Sequence, residues 1–110
     1  MKKRKILILG SGRSSYVLIR YLLDFSVQNN WIVTVGDVSF DLVNKSTNGH
    51  KNARPITFDV YNDHQRKAEI VNHDIVVSML PANLHAMVAY DCFKIRRHLV
   101  TASYVSKEIS

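Results

Sequence analysis

The stretch Lys5-Ile6-Leu7-Ile8-Leu9-Gly10-Ser11-Gly12-Arg13-Ser14-Ser15 decides the fold. Residues 5–9 form an uninterrupted apolar run, the pattern of a parallel strand covered on both faces. Gly10 can then make a tight turn, and Gly12 lets the backbone approach a pyrophosphate with no side chain in the way. Residues 14–28 follow with Val17, Leu18, Tyr21, Leu22 and Phe25 at helical spacing, before Asn29-Asn30, which suits a left-handed helix stop. Strand, glycine turn and helix in this order aim the free N–H groups of the first helical turn at an anion. Ser15 occupies the third small position of the fingerprint, where Gly or Ala is usual, and is small enough to keep helix and strand close. The predicted pyrophosphate loop is Gly10, Ser11, Gly12, Arg13, Ser14 and Ser15, with Arg13 adding charge. Phosphate hydrogen bonding and helix capping are both open for the hydroxyls of Ser11, Ser14 and Ser15.

Outward from this loop the chain keeps alternating. Further strands are predicted at residues 31–35, 56–58, 74–78 and 98–101. Helices are expected at 62–72, with Ala68, Ile70 and Val71 spaced along it, and at about 83–94, with Leu84, Met87, Val88 and Cys92 facing one way. A short helix is expected within 40–48, where Ser46, Thr47, Asn48 and Gly49 erode the pattern. With right-handed crossovers this predicts an α/β chain of one domain over residues 1–110, a Rossmann-type doubly wound parallel sheet in three αβα layers. Ligands of such sheets occupy the crevice beyond the carboxyl ends of the strands.

Asp37 follows the second strand, 27 residues after Gly10 (37 − 10), in the region where a carboxylate accepts hydrogen bonds from the adenosine ribose. It would repel a 2′-phosphate. No arginine stands in Gly36-Asp37-Val38-Ser39, and Lys45 is the nearest downstream cation, so NAD is expected as cofactor with NADP admitted second. A solvated turn is the other reading of Asp37. Asp59, after the third strand, is a candidate for the adenine edge, with a cap or turn role equally open.

The bulk properties set bounds on function. The 110 residues, 46% hydrophobic and 22% charged, suffice for one compact domain. No apolar run approaches the roughly 18 residues of a membrane span, and no secretory leader is legible, so a cytoplasmic protein without membrane contact is expected. The formal charge of +6 is concentrated in Lys2-Lys3-Arg4-Lys5 and in Lys94, Arg96 and Arg97. Excess that is local rather than spread over a face argues against nucleic acid as partner. The single cysteine, Cys92, has no partner and no metal-site spacing, so packing is its expected role and no metal site is predicted.

Two later segments narrow the reading. Ser78-Met79-Leu80-Pro81-Ala82-Asn83-Leu84-His85 and Leu99-Val100-Thr101-Ala102-Ser103-Tyr104-Val105-Ser106 closely resemble the glutamate-forming saccharopine dehydrogenases. The likeness extends to the homologous half of aminoadipic semialdehyde synthase and covers essentially the whole chain. It implies NAD(P)-dependent oxidative cleavage of saccharopine to glutamate and 2-aminoadipate 6-semialdehyde in lysine metabolism. It also implies that Leu80, Pro81 and Thr101 lie along the cofactor and that Ser103 and Tyr104 face a saccharopine-like substrate. A core-covering role stays open for Tyr104. Members of the family carry a second, substrate-holding domain. The chain is therefore expected to be the amino-terminal cofactor domain of a longer enzyme, binding the dinucleotide without turnover by itself, with a homodimer allowed for the full-length protein. No catalytic residue is assigned. His85 invites an acid–base reading, but packing or capping on the fourth helix is preferred. His98 is expected to be structural, His50, His64 and His73 to face solvent, and Tyr16, Tyr21, Trp31 and the methionines to sit in the core or an interface. A regulatory NAD(H)-sensing module of the same fold is the alternative function.

Overall fold

Residues 3–10 and 13–101 are described by the structure, a computed structural model. Five strands and four helices alternate: β1 (Arg4–Leu9), α1 (Arg13–Asn29), β2 (Trp31–Asp37), α2 (Phe40–Thr47), β3 (Ala53–Thr57), α3 (Asp63–Val71), β4 (Ile75–Ser78), α4 (Ala82–Ile95) and β5 (His98–Thr101). All strand pairs are parallel, in the order β3-β2-β1-β4-β5. This is the expected Rossmann-type three-layer sheet. The third strand begins earlier than the apolar run suggests, because Ala53, Arg54 and Pro55 pair with Val33, Thr34 and Val35 ahead of Ile56. Pro55 is tolerated there because β3 is an edge strand and needs no outer donor.

Local chemistry ends each helix where it does. The Ser39 side chain caps α2 by accepting from Leu42 N, and Asn62 caps α3 by accepting from Gln65 N. Asn30, Asn48 and Arg96 adopt left-handed backbone (φ 59, 46 and 65°) just past α1, α2 and α4. Asparagine bears this conformation at low cost.

Alternating side chains of the sheet feed two apolar layers. Ile6, Ile8, Val33, Val35 and Val77 pack with Ile19 and Leu23 of α1 and Val43 of α2. Leu7, Leu9 and Val76 pack on the opposite face with Ile70 of α3 and Val88 and Cys92 of α4. Burial, followed by the charge of Asp91, pushes the Cys92 thiol up to about 11, as befits a packing residue. Trp31, Met79 and Met87 join these layers half-buried.

Several expectations need correction. The inward stripe of α1 is Ser15, Ile19, Leu23 and Ser26, flanked by Leu18 and Leu22, while Val17, Tyr21 and Phe25 face out. Apolar residues surround this helix, so their period alone does not select the face. Tyr16 and Tyr21 are thus exposed, which overturns the core half of their expected core or interface placement. On α3, Ala68 and Val71 are exposed and the buried partner of Ile70 is Arg66, ion-paired to the equally buried Asp91 of α4. His73 does not face solvent. It is 3% exposed, with Nδ1 2.6 Å from Glu69 O and Nε2 2.7 Å from Thr34 Oγ1. Because a carbonyl only accepts, Nδ1 carries the proton and Nε2 accepts from the threonine. Desolvation holds this imidazole below its ordinary pKa. His50 is half-buried and accepts from Asn52 N, whereas His64 is exposed as expected. Arg97, one of the basic cluster, donates to His73 O and Val71 O.

Candidate dinucleotide-binding site

The strand order reverses between β1 and β4, which are neighbours although α1 leaves toward one face and α4 toward the other. A crevice opens at the carboxyl edge of a doubly wound sheet at this point. Gly10 and Met79 stand on its two sides. Gly10 has φ +98°, which side chains other than hydrogen rarely allow, and a Cβ added there would lie 3.3 Å from the backbone of Met79. Its N–H donates to Gly36 O at 2.8 Å, and Met79 N donates to Leu9 O at 2.9 Å, so both rims are fixed to the sheet. The first turn of α1 holds no acidic residue, leaving its N–H groups without a carboxylate of their own turn. These features fit a pyrophosphate at the head of α1. Ser15 is buried at 3% exposure, as the close helix–strand packing asked of the third small position requires. Ser11 and Gly12 lie outside the described residues, as do the side chains of Arg13 and Ser14, which open α1.

Asp37 ends β2 at the same edge and is half-buried. Its Oδ1 accepts from Ser39 N at 3.0 Å and its carbonyl from Phe58 N at 2.8 Å. The carboxylate therefore shapes the β2–α2 turn as well as standing where a ribose would pass. Gly36 beside it is required by packing, since a Cβ there would meet Phe58 Cβ at 2.8 Å. Asp59, exposed past β3, also forms a turn: its Oδ1 accepts from Tyr61 N at 3.0 Å and its carbonyl from Asn62 N at 2.9 Å.

Leu80 is half-buried against the α3/α4 layer, and Pro81 is exposed at the head of α4 with φ −57°. Thr101 ends β5, half-buried and in register with Ser78, which in turn is in register with Leu9. The structure thus brings Gly10, Ser15, Asp37, Asp59, Leu80, Pro81 and Thr101 to one edge of the sheet. Ser103 and Tyr104 lie outside the described residues. Sequence reasoning passed over Ser78, whose fully buried hydroxyl has no hydrogen-bond partner among the described residues at this edge, and His85 Nδ1, on α4, is shielded and likewise without a partner among the described residues. The one legible signal for Ser78 was a polar residue closing an apolar strand.

The family described as saccharopine dehydrogenase NADP binding domain matches residues 6–110. A saccharopine dehydrogenase [NADP(+), L-glutamate-forming] of Pyricularia oryzae is 34% identical over 106 residues, 96% of this chain and 23% of that protein. The mitochondrial alpha-aminoadipic semialdehyde synthase of Mus musculus is 36% identical over 107 residues, 94% of this chain and 11% of its own length. The chain thus spans about a quarter or less of these relatives. Apo saccharopine dehydrogenase (L-Glu forming) from Saccharomyces cerevisiae superposes with a TM-score of 0.80 at 24% identity, covering 92% of this chain and 22% of that one, which is likeness of fold. A nicotinamide dinucleotide is the cofactor class these matches support. The preference for NAD drawn from Asp37 finds no support in them, because the matching family is an NADP-binding one.

Proposed function

The chain belongs to the saccharopine dehydrogenase NADP-binding domain family, and on that premise we propose that it holds NADP(H) for a longer oxidoreductase that cleaves saccharopine. A bound nicotinamide dinucleotide would supply hydride acceptance for oxidation at the carbon beside the substrate's secondary amine. The chain's own task is to bind and orient. Gly10 and the head of α1 take the pyrophosphate, Asp37 and Asp59 border the adenosine half, and Leu80, Pro81 and Thr101 flank the nicotinamide half. Ser103 and Tyr104 offer hydroxyls to a polar amino-acid substrate. Residues completing the substrate site come from beyond this span, as the small share of each relative's length suggests. The 110-residue chain by itself binds cofactor and does not turn saccharopine over.

NADP is favoured over NAD by the family description and by the relatives named for NADP(+). The engagement of Asp37 with Ser39 N is compatible with this, since a carboxylate committed to a turn is less available to ribose hydroxyls. The observation that carries the reading is Gly10, whose left-handed turn presses against Met79 at the switch point. Fluorescence titration of the chain with NADPH and NADH tests it. NADPH is expected to bind more tightly, and Gly10→Ala to weaken both by at least about tenfold, since φ and space both oppose the added methyl. Failure of both nucleotides to bind, or undiminished binding by Gly10→Ala, overturns the proposal. Saccharopine-dependent reduction of NADP+ by this chain would overturn its second part.

A further inference from the structure

Beyond the ends of β2 and β3 three large apolar side chains stand open to solvent: Val38 at 72%, Phe40 at 46% and Tyr61 at 67% exposure. An exposed apolar residue alone needs no explanation. Tyr61 differs because the loop presenting it is held from several directions. Its own N–H donates to Asp59 Oδ1, Asn62 N donates to Asp59 O, Asp59 N donates to Gln65 Oε1, and Gln65 Nε2 donates to Thr57 O. Arg66 Nη1 donates to Val60 O at 2.6 Å, tying the residue before Tyr61 to the buried ion pair. The loop is also tied sideways to β2 through the hydrogen bond from Phe58 N to Asp37 O. A rigid backbone therefore carries a solvated phenol ring at the carboxyl edge, one strand over from Asp37 and Val38.

We infer that Tyr61 is the stacking platform for the adenine ring of the dinucleotide, with Val38 offering apolar contact from the β2 side. This rests on the dinucleotide reading above and adds a binding residue to it. A purine is flat, has apolar faces and carries its polar atoms on its edge, so it gains from an aromatic surface fixed in advance. Tyr61 is 67% exposed, so most of its side chain is open to such a guest. Asp59, fixed in the same turn, lies where the polar edge of the base would emerge.

The test is equilibrium titration of the chain with NADPH, with adenosine 2′,5′-bisphosphate and with nicotinamide mononucleotide. Wild type is compared with Tyr61→Ala, Tyr61→Phe and Tyr90→Ala, the last an exposed tyrosine on α4. Stacking of one base on one ring is expected to make Tyr61→Ala weaker by about five- to hundredfold for both adenine-containing ligands. Tyr61→Phe keeps the ring and retains affinity, Tyr90→Ala leaves it unchanged, and nicotinamide mononucleotide binding is the same in all four proteins. Tight wild-type binding that Tyr61→Ala does not weaken overturns the assignment while leaving the dinucleotide reading intact. Absence of wild-type binding to any adenine ligand overturns both. Because Tyr61 is mostly exposed and donates to Asp59 through its backbone N–H, Tyr61→Ala is expected to keep the wild-type unfolding midpoint, which separates lost stacking from lost fold.

Discussion

Replacing Asp91 by alanine removes one half of an ion pair that the fold has taken out of water. Asp91 is 2% exposed and Arg66 is 5% exposed, and Arg66 Nε donates directly to the Asp91 carboxylate. The guanidinium also donates to Val60 O at 2.6 Å and to Asp63 Oδ1 at 2.7 Å. Breaking a buried pair by deleting one partner costs about 3 to 5 kcal/mol, because the survivor keeps its charge without compensation. Here Asp63, a solvated carboxylate, still faces Arg66, so the lower end of that range, about 3 kcal/mol, is expected. Domains of this size are stable by about 5 to 15 kcal/mol, so the loss is a large share of the total. At roughly 4 to 8 °C per kcal/mol it lowers Tm by about 12 to 24 °C. Urea denaturation followed by circular dichroism, with Asp91→Ala, Arg66→Met and the double variant Arg66→Met/Asp91→Leu, measures it. The double variant is expected to recover much of the loss, since apolar groups of similar volume carry no unpaired charge. An Asp91→Ala cost below about 1 kcal/mol, or a double variant no more stable than Asp91→Ala, would refute the reasoning.

Two further outcomes follow from other buried contacts. Burial depresses the pKa of His73 in the folded chain, so the unfolded chain takes up the proton first as pH falls. Stability is fully present above the unfolded value near 6.5 and is lost as pH drops through the lower folded value, by up to about 1.4 kcal/mol per pH unit. His73→Gln should flatten this part of the urea-midpoint profile between about pH 7.5 and 5, and an unchanged slope would show that other groups govern it. Gly36→Ala places a methyl 2.8 Å from Phe58 Cβ, between two hydrogen-bonded strands, and is expected to destabilise by about 1 to 3 kcal/mol. A wild-type unfolding midpoint in that variant would mean the strands separate at no cost.

The alternation of strand and helix, the parallel sheet and the glycine turn at its centre were legible in the sequence because each rests on local chemistry. Uninterrupted apolar runs suit strands covered on both sides, and Gly10 stands where only a residue without a side chain turns easily. The segments at 78–85 and 99–106 identified the family from residue type and order alone. Tertiary structure decided the rest, because it depends on which groups meet across the fold. Which stripe of α1 turns inward was settled by packing against β1, β2 and β4, since apolar residues surround that helix. Arg66 and Asp91 are 25 residues apart and look like surface charges until α3 and α4 lie side by side. His73 reads as polar and exposed until Thr34, 39 residues away, comes to its Nε2. Asp37 shows the division most clearly: sequence put a carboxylate at the end of β2, and only the folded turn reveals that Ser39 N already holds it. Local conformation follows from neighbours along the chain, while burial, pairing and the state of a charge follow from neighbours in space.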